Sequence, residues 1–206
     1  MKKTTLTQLL DIKYPIIMAP MFLVTNTKMM IEGMNSGIAT CIPALNYRTD
    51  ELFRAAIKEI RSNTTSKGLG VNLIVNKSNI KMQQQLKTCV ELGVDFIITS
   101  LGSPKKVIEK CKPIGIKVLC DVVEEKYALK VEQLGADAVI AVNSNAGGHA
   151  GKLTPEEIIP LLNKHCSIPV ISAGGVGTKD GINKIMDLGA AGLSIGSPFI
   201  ACEEAH

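Results

Sequence analysis

Eight short apolar runs punctuate this sequence at near-regular intervals, and they limit its folds more than any other feature. They are 15–21 (PIIMAPM), 37–45 (GIATCIPAL), 68–75 (GLGVNLIV), 94–101 (VDFIITSL), 116–122 (IKVLCDV), 136–142 (ADAVIAV), 168–175 (IPVISAGG) and 191–199 (AGLSIGSPF). Each is a continuous apolar stretch, without the alternation of a half-exposed strand. A strand of that kind is buried on both faces, the habit of parallel sheets.

Segments of helical period lie between them. In 50–62 the spacing predicts one face made of Leu52, Ala55, Ala56 and Ile60. In 79–93 it predicts a face of Ile80, Leu86, Cys89 and Val90, ending at Gly93 as the C′ residue. Ser103-Pro104 reads as an N-cap with proline at N1, opening a helix that closes on Gly115. Segments 125–135, 154–165 and 178–189 repeat the scheme. The pattern Leu-Gly-(Ala/Val)-Asp at Leu92–Asp95 and Leu134–Asp137 marks a helix end followed by a new strand, and 187–192 (DLGAAG) is a third copy.

Strands alternating with helices give either a doubly wound sheet or a (β/α)8 TIM barrel. Eight units, with no Gly-x-Gly-x-x-Gly after the first strand, favour the barrel. The 206 residues form one domain, 1–206, with 46% hydrophobic residues and no linker. Only 200–206 follow the eighth run, so the helix that normally covers the last strand is expected to be absent. The net charge of +4 is scattered and aromatics are 3%, which argues against a nucleic-acid partner. No apolar run reaches the roughly 18 residues of a membrane span, and the N-terminal stretch is too broken for a signal peptide. The six cysteines form no C-x-x-C pair and no zinc spacing, so no metal site is expected. They read as core residues of a cytoplasmic protein.

Barrel sites form where strands end. The exits here are Ala19-Pro20-Met21, Asn46, Asn72, Ser100 and Gly102, Asp121, the segment Asn143–Lys152, Ala173-Gly174-Gly175, and Gly196-Ser197. Exits seven and eight are glycine-rich, as a phosphate cradle requires, although tight βα turns also use glycine. In 143–152 (NSNAGGHAGK), Gly147, Gly148 and Gly151 remove side chains beside a strand exit and leave room for a flat ligand. His149 is the titratable group beside that space. It serves there as a proton acceptor or hydrogen-bond donor, or else as a structural cap. Asp121 either contacts the site or caps the next helix. His165 and His206 read as surface residues.

The segments IIMAPMFLV, GVNLIV, VLCDVVEEKYALK, IAVNSNAGGHAGKLTP and IGSPFIACEEA together resemble the nitronate monooxygenase family, formerly called 2-nitropropane dioxygenase. The likeness runs from about Leu9 to Ala205, and its most specific part is AGGHAG combined with IGSPFIACEEA. A sister family, the flavin-dependent enoyl-[acyl-carrier-protein] reductases, shares the AGGH segment. The resemblance implies a flavoprotein barrel holding FMN. Its contacts map to Ala19, Pro20, Met21, Asn72, Gly147, Gly148, Ala173, Gly174, Gly175, Gly196 and Ser197, and its catalytic histidine to His149. It further implies an oxidoreductase, a monooxygenase that acts on alkyl nitronates with O2. NAD(P)H-dependent enoyl reduction and a flavin-binding scaffold without turnover are the alternatives. The sequence departs from the family pattern twice. Val142 replaces a glutamine or glutamate found in many members, and the C-terminal lid is missing. Bare strand-eight surface would be an apolar patch, compatible with a homo-oligomer.

Overall fold

The computed structural model describes residues 5–205; His206 lies outside the described residues. Eight parallel strands close into a barrel in chain order. They are β1 (Ile16–Met18), β2 (Ala39–Pro43), β3 (Leu69–Ile74), β4 (Phe96–Ser100), β5 (Lys117–Val122), β6 (Ala138–Val142), β7 (Val170–Ala173) and β8 (Gly192–Ile195). Closure is made by β1 pairing with β8, with Ile17 opposite Ser194. All eight apolar runs thus become strands, and the doubly wound alternative falls away.

Two apolar layers hold the barrel. Inside it, Ile17, Ala39, Cys41, Phe96, Ile98, Leu119, Ala138, Ile140 and Ile171 fill the lumen. Gly70 leaves the space that the Phe96 ring occupies. The helix α1 (Leu6–Leu10) plugs the N-terminal mouth with Leu6 and Leu10, opened by a capping box between Thr5 and Gln8. Outside, the strands pack against α2 (Thr27–Asn35), α3 (Asp50–Asn63), α4 (Met82–Glu91), α5 (Lys105–Cys111), α6 (Glu125–Gln133), α7 (Pro155–His165) and α8 (Lys179–Asp187). Five cysteines are buried in these layers, and burial pushes the Cys111 and Cys120 thiols up to about 12, so they remain inert.

Several local expectations change. The buried face of α3 is Phe53, Ala56, Ile57 and Ile60, while Leu52 is 55% exposed. Ile80 precedes α4 and is 91% exposed. Ser103 does not cap α5, which starts at Lys105 after Pro104 with no side-chain cap. At α7 the cap is Thr154, reciprocated by Glu157, with proline at the first turn. After β8 come 3-10 turns at Ser197–Ala201 and Glu203–Ala205. Phe199, Cys202 and Ala205 pack on the outer core, so this short segment covers part of the surface expected to be bare. Among the described residues, no helix is long and apolar enough to cross a membrane.

Candidate active site

The exits of β6, β7, β8 and β1 meet at the C-terminal mouth. A Cβ on Gly147 would meet only Ser197 Oγ, 3.6 Å away, and one on Gly148 would meet nothing within 4 Å. A Cβ on Gly177 would lie 3.5 Å from Pro198 Cγ. One on Gly196 would lie 3.5 Å from Met21 Sδ and 3.7 Å from Ala19 Cβ. The four exits therefore lie within a side chain's reach of one another.

Asn143 organises this meeting. It is fully buried, and its amide Nδ2 donates to Ser172 Oγ at 3.4 Å and to Gly174 O at 3.2 Å. Its Oδ1 accepts from Asn145 N at 2.9 Å, an Asx turn that starts the loop. Gly174 has φ of 118° and Gly175 has φ of 74°, backbone conformations that favour glycine. Any Cβ on Gly174 would stand 2.6 Å from Ala146 N, so the β6 and β7 loops pack main chain to main chain. Asn143 was only one of several exit residues in the sequence. The signal that marks it is Asn-x-Asn ahead of a glycine pair.

The β1 exit is also pinned. Ala19 N donates to Ile195 O at 2.8 Å, and Met21 N to Thr25 Oγ1 at 2.9 Å. Leu23 holds a left-handed φ of 60°, costly for a leucine, and its N–H donates to Asn46 Oδ1 at 2.9 Å. Asn46 Nδ2 returns to Thr25 O at 2.9 Å. Pro20 lies between these anchors, partly buried.

On the opposite wall, Asn72, Ser100 and Asp121 line β3, β4 and β5. Ser100 Oγ donates to Asp121 Oδ2 at 2.6 Å, and Asn72 Nδ2 donates to Ser100 Oγ at 2.8 Å. Burial pushes the Asp121 carboxyl up to about 6, against the lowering effect of the Ser100 hydrogen bond. Asp121 does not cap α6: that helix has Glu124 at its N-cap and no side-chain cap bond. His149 is exposed on the β6 loop and makes no hydrogen bond among the described residues, so both ring nitrogens are available to a ligand. His165, on α7, pairs its Nδ1 with Glu125 on the surface and takes no part.

The nitronate monooxygenase family profile matches residues 76–206. This chain belongs to that family. A probable nitronate monooxygenase of Staphylococcus haemolyticus is 30% identical over 245 aligned positions, covering 97% of this chain and 68% of that one. A (3aS,4S,5R,7aS)-5-hydroxy-7a-methyl-1-oxo-octahydro-1H-indene-4-carboxyl-CoA dehydrogenase of Rhodococcus jostii is 27% identical over 203, covering 98% of this chain but 56% of that one. Among solved structures, FabK from Thermotoga maritima superposes with a TM-score of 0.91 at 32% identity, covering 99% of this chain and 64% of that one. The chain thus spans between about half and two thirds of these relatives' length.

The family's cofactor, FMN, has a flat ring and a phosphate. The mouth suits both. Bare main chain at Gly147 and Gly148 leaves open space that a Cβ would enter, and the positive φ of Gly174 and Gly175 shapes the adjoining β7 turn.

Proposed function

We propose that this chain is the FMN-binding barrel of an enzyme that oxidises alkyl nitronates with O2. The observation that carries the reading is the meeting of the glycine-rich β6, β7 and β8 exits at one mouth, with Gly147 set against Ser197. Family membership over 76–206, the stretch that contains all three exits, supports it. In this reading Ala19, Pro20 and Met21 form the wall beside the ring, Asn72 meets its edge, and Gly147 and Gly148 leave its face clear. Ala173, Gly174, Gly175, Gly196 and Ser197 hold the phosphate. FMN, when bound, accepts the electrons that leave the nitronate carbon. His149 then hydrogen-bonds the nitronate oxygens, and when a neutral nitroalkane is offered it takes the α-proton at a ring nitrogen. Its glycine neighbours leave the approach to that nitrogen open. Val142, apolar and partly buried, adds no polar contact.

A second reading, NAD(P)H-dependent reduction of an enoyl thioester, is favoured by the 32% identity with FabK. Anaerobic flavin bleaching separates the two. The purified chain is expected to show the visible bands of oxidised flavin, to bleach with a nitronate, and to stay yellow with NAD(P)H. Bleaching by NAD(P)H alone would favour the second reading. A yellow protein that neither reduces would be a scaffold, and a chain that takes up no flavin would overturn both enzyme readings.

A further inference from the structure

Asn72, Ser100 and Asp121 form one chain of hydrogen bonds across three neighbouring strands, and its direction is fixed from one end. A carboxylate only accepts, so the Ser100 hydroxyl spends its single proton on Asp121 Oδ2, at 2.6 Å. The remaining lone pairs of Ser100 Oγ can only accept. They therefore call for the NH2 of Asn72, at 2.8 Å, rather than its carbonyl. The other NH2 proton goes to Ile98 O at 3.2 Å. Asn72 Oδ1 is left with no partner in the chain. Among the described residues no fully buried side-chain nitrogen or oxygen lacks a hydrogen bond, so Oδ1 is the atom through which Asn72, 8% exposed, meets the mouth.

We propose that Asp121, acting through Ser100, is a positioning residue that holds the Asn72 carboxamide with its carbonyl towards the mouth, where it accepts a ring N–H of the bound flavin. The inference rests on the flavin reading above. It explains a costly arrangement: Ile98 and Leu119 precede Ser100 and Asp121 by two residues on the same inner face, and apolar successors would pack there without burying a charge. The strands need no help from this chain, since β3, β4 and β5 are already joined by continuous parallel pairing. Its carboxyl, raised to about 6, is still ionised at neutral pH, the condition under which the direction is set. Without that acceptor the hydroxyl is free to turn and to donate to the Asn72 carbonyl, and Ile98 O alone is left to hold the NH2 in place.

The test is a fluorescence titration of the full chain with FMN, each variant first shown to be folded by its melting curve. Asp121→Leu, which removes the acceptor, and Ser100→Ala should each raise the Kd about tenfold, the size of one hydrogen bond. The double variant should bind no more weakly than the weaker single one, because both cut the same chain. Ser100→Thr, which keeps the hydroxyl, should restore binding. An unmoved Kd in the folded single variants, multiplying effects in the double variant, or a threonine variant as weak as the alanine one would each overturn the inference while leaving the flavin site intact. If Ser100→Ala does not fold, Asp121→Leu, similar in size and without an acceptor, decides alone. Absence of saturable FMN binding by the wild-type chain would instead sink the flavin reading, and this inference with it.

Discussion

His149 has no hydrogen-bond partner among the described residues and stands beside two glycines, so its removal should cost the fold little. His149→Ala is expected to keep FMN and to lose about a hundredfold or more in turnover, the usual contribution of a positioned acid or base. Retained turnover in the FMN-loaded variant would remove histidine from the chemistry. Its position on the loop leaving β6 was legible from the glycines around it. The hydrogen bond between Ser100 and Asp121 was not, because a bond between side chains on adjacent strands depends on barrel register, which no local pattern encodes. Asp95 shows the same limit. Its Leu-Gly-Val-Asp motif is visible, yet only the fold reveals that Oδ2 accepts from Gly68 N and Leu69 N and so ties one strand start to its neighbour.

Strands and helices were legible where burial left a clear apolar pattern. The eight strands appear as apolar runs because both their faces are buried. The helices α1 and α2 were not read: α1 has five residues, too few to show a period, and α2 is a methionine-rich stretch with Gly33 inside it. Leu52 and Ile80 fit their helical patterns and still face solvent, since a period identifies a face but not which residues the neighbours cover. The loops after β6 and β7 behave as one element, and two glycine substitutions should separate their roles. Gly174→Ala forces a Cβ onto Asn143 Oδ1 and Ala146 N at a positive φ, and should destabilise the fold by about 1–3 kcal/mol. Gly148→Ala enters open space and should leave the melting temperature unchanged. Calorimetry on the two variants checks this; equal losses would contradict the packing described for the two loops.

For the whole molecule, the half-buried carboxyl of Asp121 sets a pH dependence. Its folded value of about 6 exceeds the ordinary 3.8, so the folded state holds this proton more tightly than the unfolded chain. Its contribution therefore favours the fold below about pH 4 and is lost as pH rises through about 6, a difference on the order of 2–3 kcal/mol. Asp121→Asn lacks this term. Relative to wild type it should gain stability between pH 4 and pH 7 in urea unfolding, and a constant difference across that range would contradict the half-buried, raised carboxyl. The lid expected from the family is a separate matter: the chain covers 56% of one relative's length, and its own segment 197–205 lies against the outer core beside β8.

In the proposed function, bare main chain at the β6, β7 and β8 exits forms the flavin slot. Titrating FMN into wild type and Gly147→Val tests it most directly. Gly147 has room for a side chain and no positive φ, so the valine variant should fold with an unchanged melting temperature. Wild type should bind saturably and the variant should lose at least about a hundredfold in affinity, because the valine would occupy the space of the ring. Equal FMN affinity in the two proteins would contradict it.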